Sequence, residues 1–332
     1  MTKIIIPPKL KPGDEIRVIA PARSLALISE ANRQIANDNL AKLGLKVSFG
    51  QHVLEQDESM SSSLESRLQD LHEAFLDKNV KAIITVIGGF NSNQLLQHID
   101  WKIIKNNPKI FCGYSDITVL HNAILAKANL ATYYGPHYST LSQKLHLDYT
   151  LEYFKKCLFS AEPISIKPCS NWTDDLWYFD QDKREPIKNE GWLLINEGEA
   201  TGTIFGGNSN TLGLLKGTEY FPKIKNSILF LEDDNLVGPM MAVEFDRTLQ
   251  AFIHLPEFKF VKGIVIGRFQ KASQMTTEKI KKIVKGKKEL NNLPVIANVE
   301  FSHIEPRLTV PIGGEAYLSA KEGEIKLEFI KH

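Results

Sequence analysis

Cysteine is scarce in this chain: Cys112, Cys157 and Cys169 are the three in 332 residues, and no two stand in a C-x-x-C spacing. An odd, scattered set offers neither a disulfide framework nor a thiolate zinc site, and it fits a reducing compartment. Charge of one sign is lacking as well. Forty Lys and Arg against 39 Asp and Glu leave a formal net charge of +1, so no basic field is available to hold nucleic acid or an anionic membrane. Long apolar runs are missing too. Ile4 to Ile6 stops at Pro7-Pro8, too short for a signal-peptide core, and no later run approaches the roughly 18 residues that span a bilayer. The reading is a soluble, cytoplasmic protein. No G-x-G-x-x-G follows the first apolar run and no G-x-x-x-x-G-K-[ST] occurs, which removes the main supports for dinucleotide and P-loop chemistry. The pair His303-x-Glu305 lacks the P-C-x-x-C half of a zinc deaminase, so no metal or cofactor is called for.

What is present is a hydrophobic content of 43%, enough for a substantial core and for two domains. Ile16 to Ala20 reads as a strand, Leu25 to Leu43 as a helix, Leu45 to Phe49 as a strand, Ser62 to Asp77 as an amphipathic helix, and Val80 to Ile87 as a buried strand. Strands separated by single helices need right-handed crossovers and build a parallel sheet. Residues 1–162 therefore read as a doubly wound α/β domain. In residues 163–200 periodicity lapses, and three of the four tryptophans fall here; a connection of this length reads as a functional lid or a mobile linker. Residues 201–332 regain strand signals at Ser227 to Leu231, Gly263 to Ile266 and Pro294 to Val299, with helices at Met240 to His254 and Thr276 to Lys285 between them. Alternation after Arg307 predicts antiparallel strands at the end.

In open α/β sheets, ligands and catalytic groups gather beyond the carboxyl ends of strands. Four such places carry chemistry here: Gly88-Gly89 after Ile87, Gly113-Tyr-Ser115-Asp116 after Cys112, Glu232-Asp233-Asp234 after Leu231, and Ser302-His303-Ile-Glu305-Pro306 after Val299. A serine hydroxyl needs a base to take its proton, and a carboxylate to orient that base. A serine on a sharp turn before a helix also exposes its hydroxyl while the N–H groups beside it face a developing oxyanion. Two readings of Ser115 stand side by side. It is a nucleophile, or it is the N-cap of the helix that follows, since Ser-Asp before an apolar run is an ordinary capping signal. The second glycine of a G-x-S-x-G elbow is absent, which argues against an ordinary α/β-hydrolase.

Seven strings in order, LKPGDEIRVIAPA, VIGGFNSNQLL, GYSDIT, YYGPH, GGNSNTL, ILFLED and SHIEP, resemble the LD-carboxypeptidases and their relatives the microcin C immunity peptidases along nearly the whole chain. The resemblance implies a Rossmann-like amino-terminal domain, a second α/β domain, and an active site at their interface. It implies Ser115 as nucleophile, Glu232 as the acid and His303 as the base, with oxyanion donors from the backbone N–H of Gly89 and Asp116. It further implies a dimer acting on a small substrate, either a cell-wall tetrapeptide losing D-alanine or an aminoacyl-nucleotide amide. The segment Trp172 to Trp177 is similar to the immunity branch, where Trp172 and Trp177 either stack on a nucleobase or, with Trp192, pack the lid onto the domains, and Asn208 is expected to bind the aminoacyl part. Ser209 departs from the leucine usual in these relatives.

Overall fold

Short β-branched runs become parallel strands where both faces of a sheet can be covered, and the computed structural model, which describes residues 3–223 and 225–332, has such strands in two sheets. In the first half β1 (Glu15–Ile19), α1 (Glu30–Lys42), β2 (Lys46–Phe49), α2 (Leu64–Leu76), β3 (Val80–Thr85), α3 (Trp101–Asn106), β4 (Ile110–Gly113), α4 (Thr118–Ala128) and β5 (Thr132–Tyr134) follow one another. The strands lie in the order β2, β1, β3, β4, β5, all parallel. Ile84 and Cys112 pack with Ala36 and Leu40 of α1 on one face; Ile83 and Phe111 pack with Phe75, Ile104 and Val119 of α2, α3 and α4 on the other. The helix expected over Leu25 to Leu43 is broken. Ser24 caps a short 3-10 turn at Leu25–Leu27, Ile28 turns extended, and Ser29 caps α1 by accepting from the N–H of Asn32. Two capping serines five residues apart divide what apolar spacing alone reads as one helix.

The chain then forms α5 (Asp148–Phe159), β6 (Ile164–Ile166), the small antiparallel pair β7 (Asn171–Trp172) and β8 (Ile187–Lys188), and β9 (Leu193–Asn196). Next come β10 (Gly198–Asn208), α6 (Ser209–Gly213), β11 (Ser227–Glu232), α7 (Met241–Ile253), β12 (Gly263–Gly267), α8 (Thr277–Lys285) and β13 (Val295–Val299), and last β14 (Val310–Ile312), β15 (Glu315–Lys321) and β16 (Glu324–Lys331). The second sheet runs β6-β16-β15-β10-β11-β12-β13-β9, with β10 to β13 parallel and the outer pairs antiparallel. Two short segments sit elsewhere than their sequence neighbours. Ile164 to Ile166, read with the connection, pairs with β16 in the second sheet, and Val310 to Ile312, read with the terminal strands, pairs with β5 in the first. Each covers an edge that would otherwise expose unpaired backbone. No helix among the described residues is long and apolar enough to cross a membrane.

Candidate active site

The end of β4 sets Ser115. Gly113 closes the strand, Tyr114 is extended, and Ser115 takes a positive φ of 61° at the start of a 3-10 turn that leads into α4. A left-handed serine is a strained conformation, costing on the order of 1–3 kcal/mol, and is found where surrounding structure fixes it. Here the fixing groups are visible. The Ser115 N–H donates to the Tyr134 hydroxyl at 3.1 Å, and Thr118 Oγ1 donates to the Ser115 carbonyl at 2.6 Å. The side chain of Ser115 makes no cap, so the hydroxyl is free for another partner. That partner is His303, whose Nε2 lies 2.9 Å from Ser115 Oγ.

Glu232 is the last residue of β11 and is fully buried. Its Oε2 lies 2.8 Å from His303 Nδ1, and its Oε1 accepts from the Tyr134 hydroxyl at 2.6 Å. The carboxylate thus fixes which imidazole nitrogen carries the proton and leaves Nε2 to accept from the serine. Burial alone would push the His303 pKa down, but the charge and hydrogen bond of Glu232 outweigh it and the net shift is upward. Tyr134, buried and beside that carboxylate, titrates well above the ordinary phenol range and so keeps the proton it donates. Strand ends from both sheets therefore supply one connected chain from Ser115 through His303 and Glu232 to Tyr134, and back to the Ser115 backbone.

The loop after β3 closes over the serine. A Cβ on Gly88 would stand 3.0 Å from Ser115 Oγ, so only glycine leaves this approach open. The Asp116 carboxylate accepts from the N–H groups of Asn91 and Ser92 at 3.1 and 3.0 Å, stitching that loop to the serine turn. Gly89 lies in the first segment and Asp116 in the second, on the two strand-end turns that flank the hydroxyl. A cavity of about 470 Å³ opens here, lined among others by Arg23, Gly89, Tyr114, Ser115, Trp177, His303 and Arg307.

The three tryptophans diverge. Trp177 lines this cavity, while Trp172 lines a neighbouring one with the Arg268 guanidinium 5.0 Å over its ring. Trp192 donates its indole N–H to Glu300 at 2.8 Å and packs against the core. Asn208 is not brought to the cavity. It is buried, its Oδ1 accepts from the Thr211 N–H at 3.0 Å to cap α6, and its amide donates to Asp233 at 3.3 Å. Ser209 donates to the same carboxylate at 2.6 Å. That hydroxyl thus serves Asp233, whose carboxyl is pushed up to about 7 by burial against that hydrogen bond. Sequence reading missed Tyr134, Arg23 and Arg307, and named Glu305 without giving it a partner. The tyrosine belongs to a recognisable string, YYGPH, yet nothing in that string tells which of two adjacent tyrosines meets the carboxylate.

Known proteins resemble this chain along nearly its whole length. YocD of Bacillus subtilis, which carries a carboxypeptidase name, is 50% identical over 324 residues, covering 98% of this chain and 99% of that protein. A second B. subtilis protein, named a probable murein peptide carboxypeptidase, is 27% identical over 97% of this chain and 94% of its own length. The crystal structure of an MccF-like protein from Bacillus anthracis superposes with a TM-score of 0.98 at 50% identity, covering 99% of this chain and 100% of that one. MccF in complex with glutamyl sulfamoyl guanosine superposes at 0.86 with 25% identity, covering 98% of both chains. With the model of the LD-carboxypeptidase amino-terminal domain matching residues 16–135 and that of the carboxy-terminal domain matching residues 201–318, the chain belongs to the LD-carboxypeptidase family.

Proposed function

We propose that this protein is a serine peptidase that hydrolyses a small amide through an acyl-enzyme on Ser115. The observation that carries the reading is the unbroken contact from Ser115 Oγ to His303 Nε2 at 2.9 Å and from His303 Nδ1 to Glu232 at 2.8 Å. Ser115 Oγ attacks the amide carbonyl while its proton passes to His303 Nε2, and the imidazolium rests against Glu232. The oxyanion that forms is met by the N–H groups of Gly89 and Asp116. As the C–N bond breaks, His303 returns the proton to the leaving nitrogen. Water then attacks the ester, again losing a proton to His303, and the acid product and the Ser115 hydroxyl are restored.

Of the two substrate classes in the family, the aminoacyl-nucleotide amide is the preferred one. Trp177 on the cavity wall offers an indole face to a nucleobase, a contact worth roughly 1–3 kcal/mol where such stacking has been measured. The second reading, release of D-alanine from a murein tetrapeptide, draws on the carboxypeptidase names of the relatives. The test is Ser115→Ala assayed on aspartyl sulfamoyl adenosine and on the tetrapeptide. Turnover of whichever substrate the native protein cleaves is expected to vanish with the fold intact; retained turnover of both overturns the proposal. Cleavage of the tetrapeptide alone by the native protein moves the assignment to the second reading.

A further inference from the structure

His303, Glu305 and Arg307 line the same cavity from alternate positions along the chain. Arg307 Nη2 donates to Glu305 Oε1 at 2.8 Å, and both residues are buried, at 3% and 6% exposure. The guanidinium carbon lies 3.6 Å over the ring of Tyr114, the residue before Ser115. This ion pair is incomplete. Arg307 Nε and Nη1 and Glu305 Oε2 have no hydrogen-bond partner among the described residues. Buried donors and acceptors are ordinarily satisfied, and those that are not point to a missing ligand or water. Arg307 also stays charged: burial draws its pKa down, but the Glu305 carboxylate more than reverses this. Of the other acids on the cavity, Asp175 pairs with Arg184, Asp174 accepts from the Lys271 N–H, and Asp234 accepts from the Leu236 N–H at 2.8 Å.

We infer that Arg307 receives an anionic group carried by the leaving amine of the substrate, with Glu305 holding the guanidinium in position. The inference rests on the hydrolase reading above and narrows it. A carboxypeptidase substrate bears a carboxylate on the carbon attached to the scissile nitrogen, and an aminoacyl sulfamoyl nucleoside bears sulfonyl oxygens and an acidic N–H there. Both place negative charge within a few bonds of the nitrogen that leaves. A charged guanidinium with unpartnered N–H groups, over the Tyr114 ring and on the cavity that Ser115 also lines, suits either one.

Two matched pairs test it. A tetrapeptide ending in D-alanine is compared with its D-alaninamide counterpart, and aspartyl sulfamoyl adenosine with the aspartyl amide of 5′-amino-5′-deoxyadenosine. The native protein is expected to favour the anionic member of at least one pair by about 10- to 100-fold in kcat/KM, in line with charge-assisted hydrogen bonds; the pair that responds identifies the source of the anion. Arg307→Gln is expected to bring that ratio to within about threefold, and Arg307→Lys to restore part of it. Equal rates for both members of both pairs in the native protein, or an Arg307→Gln variant that loses activity with the ratio intact, overturns the inference. Binding of D-alanine against D-alaninamide, and of adenosine monophosphate against adenosine, to the Ser115→Ala protein needs no turnover. An anion preference there that Arg307→Gln removes upholds the inference even if the hydrolase reading fails.

Discussion

At the residue scale the central object is His303, held by a buried carboxylate on one side and a strained serine on the other. Its pKa is raised from the ordinary 6.5 by Glu232 against the pull of burial. A general base must be neutral, so kcat/KM is expected to rise with pH through a midpoint above 6.5 and to fall as His303 protonates below it. Stability runs the other way. A group whose folded pKa is raised contributes stability below its unfolded pKa, and that contribution is lost as pH rises through the folded value. Glu232→Gln removes the charge that raises the imidazole, so the activity midpoint is expected to move down while turnover drops by roughly 10³- to 10⁴-fold, as loss of the orienting acid does in serine proteases. Tyr134→Phe leaves Glu232 Oε1 without its donor, so the carboxylate charge acts on His303 without the hydroxyl dipole that offsets it. The midpoint should then move up, with a stability loss of about 2 kcal/mol from the lost hydrogen bond to a charged group, read by denaturant unfolding. A pH–rate series on the two variants checks both directions, and midpoints that move together would remove Glu232 and Tyr134 from the control of His303.

At the scale of elements, the connection between the halves does more than link them. The Thr173 N–H and carbonyl bond the Glu305 backbone at 2.7 and 2.8 Å, Asp174 accepts from the Lys271 N–H at 2.6 Å, and Asp175 pairs with buried Arg184 at 2.7 Å. Three successive residues thus pin the strap that carries Trp177 over the cavity. Asp175→Ala is expected to raise KM about tenfold with a smaller change in kcat, because in the proposed function the strap meets substrate and not the reacting atoms; an unchanged KM would mean the strap bears no substrate. The sequence made the strands of the first sheet legible because buried parallel strands carry a strong apolar signal, and strand ends pointed to Ser115, His303 and the run Glu232-Asp233-Asp234, from which the family resemblance alone singled out Glu232. It could not show the break at Ile28, where a serine pair competes with apolar spacing, nor the placement of the three-residue strands β6 and β14, which depends on which sheet edges stand open. The cap made by Asn208 was hidden for a related reason. A side-chain amide at a strand end serves a ligand or a cap, and only the adjacent helix and Asp233 reveal which.

At the scale of the whole molecule, the two halves are tied by more than a linker. β14 returns from the carboxy-terminal half to complete the first sheet, and His332 Nδ1 meets Lys9 Nζ at 2.8 Å while its Nε2 lies 2.9 Å from the Glu162 carbonyl. Thermal unfolding is therefore expected as one transition with equal calorimetric and van't Hoff enthalpies, whereas two resolved transitions would show the halves melting apart. The same arrangement places Ser115 at the end of a strand of one sheet and its partners Glu232 and His303 at strand ends of the other, so the activation proposed for the hydroxyl requires both halves to be in place. That claim is tested most directly by labelling with a fluorophosphonate, in which the serine oxygen bonds to phosphorus and fluoride leaves, followed by mass analysis of the peptide that contains Ser115. The account predicts one adduct, on Ser115, lost in Ser115→Ala and strongly slowed in His303→Ala. Absence of the adduct in the native protein, or labelling of equal speed without His303, would contradict it.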